Sequence, residues 1–167
     1  MTEKTITIVR HAKSSWDDPK LRDLDRPLKK RGFNDAELMG THLDSLKIQL
    51  DCVVSSPANR AHTTAKILCQ NIGFEINEIQ QSEALYFQGI NGLWENIWTI
   101  DDNCHNLALF GHNPTSHEFV EKASGQRFVN FPTCGVAHFG LIGDKWSNAD
   151  FESLKLKWMV FPSDLKK

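Results

Sequence analysis

The chain has 167 residues, enough for one domain that buries roughly two thirds of the surface of its unfolded state. A hydrophobic content of 40% and a net charge of −2 are ordinary for a globular protein, and they give no electrostatic reason to bind nucleic acid or an anionic membrane. The sequence has no signal peptide and no apolar run of about 18 residues, so we expect a cytoplasmic protein that does not associate with membranes.

The cysteines and histidines also restrict the class of protein. Four cysteines lie far apart with no C-x-x-C pair, so we expect free thiols in a reducing compartment, with Cys52 and Cys69 in the core. The seven histidines form no pair with metal-ligand spacing. We therefore expect neither a metal site nor another cofactor.

The first predicted strand covers residues 5–9 and is a run of β-branched side chains. It delivers Arg10 and His11 at its carboxyl end, where ligands bind in open α/β sheets. A polar loop follows over residues 14–27 and is longer than a simple connection needs. The apolar spacing after it predicts a helix over residues 28–46, and residues 51–55 form a second short strand.

Ser56 and Pro57 predict the start of the next helix, with Ser56 as N-cap and Pro57 at the first helical position. Arg60 then lies in the first turns of this helix, beside its apolar face. A weak strand over residues 78–82 and a helix around residues 93–100 follow. A buried strand over residues 106–110 leads into His112, and we expect Asn113 to cap a helix that Pro114 begins.

Two further strands, over residues 132–142 and 154–161, complete the pattern. Strands that alternate with helices predict an α/β fold, a three-layer α/β/α sandwich around a mostly parallel sheet of about six strands. With no repeat and no linker in the sequence, we expect a single domain over residues 1–167 with no large cap insertion.

Three strand-to-helix junctions bring together Arg10, His11, Arg60 and His112. Arginine guanidinium groups match phosphate oxygens bidentately, and helix N-termini add backbone donors. A neutral imidazole in such a pocket can act as a nucleophile toward phosphorus, because the cationic surroundings stabilise the charge on the transferred group without a metal ion.

These junctions resemble the motifs of the histidine phosphatase (phosphoglycerate mutase-like) superfamily. The matching residues are Val9-Arg10-His11-Ala12-Lys13-Ser14-Ser15-Trp16, Ser55-Ser56-Pro57-x-x-Arg60-Ala61-x-x-Thr64-Ala65 and Gly111-His112-Asn113-Pro114. The short chain and Asp23-x-x-Arg26-Pro27-Leu28 are most similar to the SixA-type phosphohistidine phosphatases.

The resemblance implies roles for individual residues. His11 would accept the phosphoryl group as a phosphohistidine intermediate, and Arg10, Arg60 and His112 would hold the phosphate. The resemblance places Ser14 and Asp17 among the residues that line the pocket. It also implies that Asp23 and Arg26 brace the loop, and that Thr133 and Cys134 close the pocket through backbone groups.

The acid motif of the family departs from its usual form here. Glu83 is near the expected position, but Leu85-Tyr86-Phe87 puts an aromatic residue where many relatives have the acid. An alkoxide leaving group needs a proton, whereas the imidazole of phosphohistidine leaves more readily. The sequence therefore favours hydrolysis of phosphohistidine on a partner protein, such as a histidine-relay domain. The alternatives are a small-molecule phosphomonoesterase with the same nucleophile and a weakly active phosphate-binding module.

Overall fold

The central strand of the sheet, β1 (Lys4–Arg10), is buried along almost its whole length. A computed structural model describes residues 3–128 and 130–166. In it, β1 pairs in parallel with β4 (Asn106–Gly111) on one side and antiparallel with β5 (Val136–Leu141) on the other. Because neighbouring strands cover both edges of β1, its carboxyl end lies in the middle of one edge of the sheet.

Three shorter or more exposed strands complete the sheet: β2 (Cys52–Ser55), β3 (Gln80–Gln81) and β6 (Leu154–Val160). The strand order is β3-β2-β4-β1-β5-β6. β5 alone among these six runs against the others, because it is antiparallel to both β1 and β6. This confirms the predicted six-stranded, mostly parallel sheet.

Helices cover both faces of the sheet. They are α1 (Lys30–Ser45), α2 (Asn59–Ile72), α3 (Ala84–Phe87), α4 (Gly89–Thr99), α5 (Thr115–Ser124) and α6 (Pro162–Leu165). Met39 of α1 and Leu68 of α2 pack with Val9 in one hydrophobic core, whereas Trp94 of α4 and Phe119 of α5 pack in a second core. The predicted three-layer arrangement is therefore confirmed. No helix in the described part of the chain is both long and apolar enough to span a membrane.

The sequence places the starts of three helices too early. The chain after β2 continues the sheet pairing, since the Ser56 N–H donates to the Phe110 carbonyl, and α2 begins at Asn59 with Ala58 as its N-cap. The helix after β4 begins at Thr115 with Pro114 as N-cap. In both junctions the expected cap, Ser56 or Asn113, still accepts a backbone N–H. Each expected capping residue thus belongs to the connection rather than to the cap position.

The first helix begins at Lys30 rather than at residue 28. Leu28 is held in an isolated bridge with Ser14, and the Lys29 N–H donates to the Lys13 carbonyl over 2.9 Å. These contacts keep residues 28 and 29 extended. The predicted strands are also trimmed, since the strand expected over residues 132–142 is Val136–Leu141 and that expected over residues 78–82 is Gln80–Gln81.

The cysteines are all free, as expected, but they differ in burial. Cys69 lies in the core, as the sequence predicts, whereas Cys52 is only half-buried because it opens β2 near the end of the sheet opposite Arg10. The expectation of a buried Cys52 was wrong.

Gly32 marks the closest approach of α1 to the segment that follows β1. A Cβ atom built on Gly32 would lie 2.1 Å from the carbonyl oxygen of Lys13. The same atom on Gly40, also in α1, would meet the side chain of Asn71 instead. Only the first of these neighbours is backbone, which cannot rotate away.

We expect Gly32→Ala to lower the free energy of unfolding by about 1–3 kcal/mol, since overpacking outweighs the better helix propensity of alanine. Gly40→Ala is the matched control in the same helix. Its free energy of unfolding should fall clearly less, because the Asn71 side chain can move away from the added methyl group. Urea denaturation of both variants measures the difference. Equal stability of the two variants would show that the Lys13 carbonyl is not a rigid constraint.

Candidate active site

The site lies where β1 and β4 end. Arg10 is paired with Gly111 in the parallel register, and the His11 N–H donates to the Gly111 carbonyl over 3.0 Å. The residues that follow these two, His11 and His112, therefore leave the sheet side by side. As a result, the rings of His11 and His112 lie with their centroids 5.2 Å apart. The structure thus brings together the two histidines that the sequence predicts.

His11 is held in one orientation with one ring nitrogen available. Its Nδ1 lies 2.7 Å from the Ala12 carbonyl oxygen, which can only accept, so Nδ1 carries the proton and Nε2 has a free electron pair. The side chain is 7% exposed. Burial lowers the pKa of His11 to about 3, and the charges of Arg60 and Arg10 act in the same direction. A neutral, oriented imidazole is the form in which histidine acts as a nucleophile.

Ser56 orients His112. The Ser56 hydroxyl oxygen lies 2.8 Å from His112 Nε2 and accepts the Ala58 N–H over 3.2 Å. When the Ser56 hydroxyl donates its hydrogen bond to Nε2, the ring proton lies on Nδ1, and Nδ1 is buried with no partner among the described residues. Burial lowers the pKa of His112 to about 4. This leaves a donor suited to an oxyanion.

Arg10 is fixed by the segment that precedes β5. Its Nη1 donates to the Phe131 carbonyl over 3.0 Å, and Asn113 Nδ2 donates to the same carbonyl over 2.8 Å. The Nε atom of Arg10 is buried and makes no hydrogen bond within the described part of the chain. A buried N–H group of a charged side chain destabilises the fold when it has no hydrogen-bond acceptor, and a bound ligand can supply that acceptor.

Arg60 projects from the first turn of α2, and a residue of the long loop holds it. Its Nη1 donates to the Asp23 carbonyl over 2.7 Å, and its Nη2 pairs with the Asp23 carboxylate over 2.9 Å. Thr64 ties the same helix to the nucleophile, because its hydroxyl accepts the Ala12 N–H over 3.0 Å and donates to the Arg60 carbonyl over 2.7 Å. The position of Arg60 therefore depends on both α2 and the loop.

The Asp23 carboxylate accepts hydrogen bonds from three side chains on this side of the site. Arg60, Arg26 and Tyr86 all donate to it. Although partial burial raises the pKa of Asp23, these hydrogen bonds outweigh that effect and hold its pKa well below the ordinary range. Asp23 is therefore held as an ionised carboxylate.

Tyr86 joins Asp23 to His112. Its hydroxyl donates to the Asp23 carboxylate, which raises the pKa of the phenol, and its ring meets the His112 ring edge-on at 5.4 Å. The sequence indicates an aromatic residue at the position of the usual acid but does not predict these contacts. Ser56 is also missed as a partner of His112, since its pattern suggests only a helix cap.

Arg26 bonds to three other residues of the long loop. The side chain is buried, donates to the Ser15 carbonyl over 3.1 Å and to the Ser14 hydroxyl over 2.5 Å, and lies 3.3 Å from the ring centroid of Trp16. Ser14 is thus buried against Arg26 beside the nucleophile segment. The predicted contact of Ser14 with substrate stays a prediction.

The remaining predicted site residues differ in burial. Asp17 is exposed, and its N–H donates to the Ser15 hydroxyl. Glu83 is exposed before α3 and makes no side-chain hydrogen bond with the rest of the described chain. Cys134 is buried, and its N–H bonds to the Arg10 and His11 carbonyls, while Thr133 beside it is half-buried. The Cys134 amide therefore holds the end of β1, and the predicted substrate contacts of Asp17, Thr133 and Cys134 stay predictions.

Chemically, this arrangement suits a tetrahedral oxyanion. Two guanidinium groups and a histidine donor surround the free nitrogen of a second histidine, which can attack the atom at the centre of the anion. Over residues 3–128 and 130–166, no group of three or more histidine, cysteine, aspartate or glutamate side chains is arranged to hold a metal ion.

Comparison with known proteins decides the family. Residues 6–129 match the model of the histidine phosphatase superfamily, branch 1. The chain belongs to the histidine phosphatase superfamily. It is accordingly a phosphatase, a hydrolase that releases phosphate from a phosphorylated substrate.

Individual relatives agree with this assignment. An uncharacterized chloroplastic protein of Arabidopsis thaliana is 30% identical over 154 residues, which cover 87% of this chain and 70% of that protein. The crystal structure of a candidate phosphohistidine phosphatase SixA from Agrobacterium tumefaciens superposes with a TM-score of 0.80 at 25% identity, over 95% of this chain and 98% of that one. A protein histidine phosphatase SixA complexed with tungstate shares the fold, with a TM-score of 0.80 at 20% identity over 96% and 99% of the two chains.

The low pKa values of the buried histidines predict how stability depends on pH. His11 and His112 are neutral in the folded protein down to about pH 4, whereas in the unfolded chain they take up protons below about pH 6.5. The unfolded state therefore binds more protons as the pH falls, and folding stability is lost.

Between pH 6.5 and 5 we expect the free energy of unfolding to fall with pH, with about 1 kcal/mol per pH unit from each of these two histidines. Denaturant titrations at several pH values measure the slope. The double variant His11→Asn/His112→Asn should show a shallower slope than the wild type. A slope unchanged in the double variant would contradict the neutral state of the pair.

Proposed function

We propose that this phosphatase hydrolyses phosphohistidine carried by another protein, through a covalent phosphohistidine on His11 and without a metal ion. The support comes from the juxtaposition of a neutral, oriented imidazole with three positively polarised groups on Arg10, Arg60 and His112. The resemblance in fold and sequence to the candidate SixA phosphohistidine phosphatase supports the same substrate class.

The reaction needs two transfers of one phosphoryl group. In the first, the Nε2 electron pair of His11 forms a bond to phosphorus while the P–N bond of the substrate breaks, and the departing imidazole takes a proton from solvent. In the second, water attacks the same phosphorus and gives up a proton, and the bond to His11 breaks. Phosphate leaves and His11 returns to its neutral state.

Arg10, Arg60 and His112 act in both transfers by holding the phosphoryl oxygens. Negative charge is spread over those oxygens in the transition state, so fixed donors stabilise it without further reorganisation. The donors that we assign to this task are the unpartnered Arg10 Nε, the unpartnered His112 Nδ1 and the guanidinium of Arg60. A phosphoryl group would complete the hydrogen bonding of Arg10 Nε and His112 Nδ1.

One observation carries the choice of phosphohistidine over a phosphate ester. Asp23, the carboxylate bonded to Arg60, is held ionised by three donors, so it has no proton to give. Glu83 is exposed and does not bond to the site. An ester would release a strongly basic alkoxide that requires an acid, whereas the leaving imidazole of phosphohistidine requires much less help.

The single-domain arrangement without a cap, which we also propose, agrees with a protein substrate. Between the end of α2 and the start of α3 the chain forms only a 3-10 turn (Ile76–Glu78) and β3. This segment is too short to build a lid over His11. An uncovered site is accessible to a side chain presented on a folded partner.

We expect His11→Ala to abolish hydrolysis of a phosphohistidine-bearing relay protein, a loss of at least about 10³-fold, because no other group takes the phosphoryl group. The variant should still bind vanadate, since the donors remain. Phosphate release, together with trapping of phosphorylated wild-type enzyme, measures the effect, with His42→Ala as the control.

The wild-type protein should keep its activity in EDTA. Substantial activity of His11→Ala would rule out the covalent mechanism, and loss on chelation with recovery on adding metal would rule out the metal-independent one. A wild-type protein that binds vanadate but hydrolyses neither phosphohistidine nor a chromogenic phosphate ester would be a binding module.

A small-molecule phosphomonoesterase is the second candidate, because the Tyr86 hydroxyl and Glu83 both lie in the segment where the family's acid is expected. Glu83→Gln separates the candidates. On phosphohistidine we expect kcat/KM to stay within about twofold of wild type, whereas on a natural ester substrate the loss would be roughly 10²–10⁴-fold. Glu95→Gln, an exposed glutamate of α4, is the matched control, and a large loss on phosphohistidine would contradict our assignment.

A further inference from the structure

A cavity of about 490 Å³ is lined in part by the Lys13–Asp17 segment, which begins two residues after His11. Its walls combine this segment with the start of α1, and they contain four cationic side chains: Lys13, Lys29, Lys30 and Arg31. We call these four residues the cationic rim. Asp17 is the one carboxylate among the described residues that line the cavity. In a chain with a net charge of −2, this is a marked local excess of positive charge.

Three of the four cations of the cationic rim have no ion-pair partner in the described chain. Arg31 lies 3.6 Å from the Asp35 carboxylate, which Lys166 also approaches to 2.7 Å. The ion pairs found over residues 3–128 and 130–166 include no partner for Lys13, Lys29 or Lys30. Lys29 and Lys30 are exposed, so their charges face solvent.

Fold stability does not explain this arrangement. Acidic side chains stabilise the first turn of a helix, whereas cations there oppose the helix dipole. The first turn of α1 has no acidic residue, and Lys29 at its N-cap position makes no capping hydrogen bond. Three successive cations at this position therefore oppose the helix dipole and do not stabilise the start of α1.

The rim begins close to the nucleophile. Lys13 is two residues from His11, a separation of at most about 7 Å between Cα atoms. The intervening segment is rigid, because the Ala12 N–H bonds to Thr64 and the Lys13 carbonyl accepts the Lys29 N–H. An extended chain advances about 3.3 Å per residue, so the neighbours of a residue attacked by His11 lie within reach of the rim.

We propose that the cationic rim binds an acidic segment next to the phosphorylated residue of a protein substrate. This inference rests on the proposed function and names the sequence feature by which the substrate is recognised. The proposed function assigns Arg10, Arg60 and His112 to the phosphoryl group, so the cationic rim is left for negative charges further along the partner. Trp16, which is 71% exposed between two residues that line the cavity, adds an apolar contact beside these charges.

The variant Lys29→Glu/Lys30→Glu tests this role. It reverses two charges that have no part in the catalytic machinery, and glutamates at the first turn of a helix favour folding. Lys122→Glu/Lys155→Glu is the matched control, since these exposed lysines line a different cavity, and Lys155 pairs with Gly140 near the opposite end of the sheet. Both double variants change the net charge equally.

The substrates are two phosphohistidine peptides that differ only in the flanking residues, acidic in one and uncharged in the other, together with the small molecule phosphoramidate. Wild type should have the lower KM for the acidic peptide. In Lys29→Glu/Lys30→Glu we expect KM for that peptide to rise about tenfold, with kcat and the kinetics on phosphoramidate unchanged. Added salt should reduce the difference between the peptides.

Several results would overturn the inference. These are equal KM values of wild type for the two peptides, equal effects of the two double variants, or a parallel loss on phosphoramidate. The last would mean that the lysines act on the phosphoryl group itself. Failure of the proposed function has a different signature: wild type would hydrolyse phosphoramidate or an ester but neither peptide.

Discussion

The parallel pairing of β1 with β4 is the constraint on which the rest of the site depends. Their register sets Arg10 beside Gly111, and the His11 N–H continues the pairing by one more hydrogen bond. A shift by one residue would turn alternate side chains to the other face of the sheet and separate the two histidines. Both strands are buried among apolar neighbours, so the hydrophobic cores that stabilise the fold also fix the distance between His11 and His112.

The charged side chains around His11 and His112 are positioned partly by loop residues, which lie outside the sheet. Arg60 belongs to a helix, but both of its terminal nitrogens donate hydrogen bonds to the loop residue Asp23. Arg26 holds the loop by binding Asp23, Ser14 and the Ser15 carbonyl. The Asp23 carboxylate thus offsets part of the positive charge of the two arginines and orients their side chains. Tyr86 bonds to Asp23 and packs against the His112 ring. The loop is longer than a connection needs because it supplies these partners.

Much of the fold and the catalytic cluster could be predicted from the sequence, for identifiable reasons. Strands flanked by glycine and proline signals, and apolar stripes at helical spacing, indicate the layers, and strand ends that carry Arg10, His11 and His112 indicate the shared edge. The helix starts were misplaced because capping residues such as Ser56 also bond within connections. The contacts of Asp23 with Arg60 and Tyr86 join residues 37 and 63 positions apart, and no local pattern encodes such distances. Glu83 was selected by proximity in sequence, whereas its exposure depends on how α3 is placed.

The buried donors of the site explain how an open pocket can still be selective. Arg10 Nε and His112 Nδ1 are removed from water without a partner in the described chain, and such groups destabilise the fold until a ligand bonds to them. In the proposed function a phosphoryl group would bond to both donors, so affinity for the anion would need no lid that encloses it. Only the phosphoryl oxygens would take part in these hydrogen bonds. The part of the substrate that carries the phosphoryl group would therefore stay in solvent. This is why we propose that discrimination between carriers comes from the surface that Lys13, Lys29 and Lys30 line.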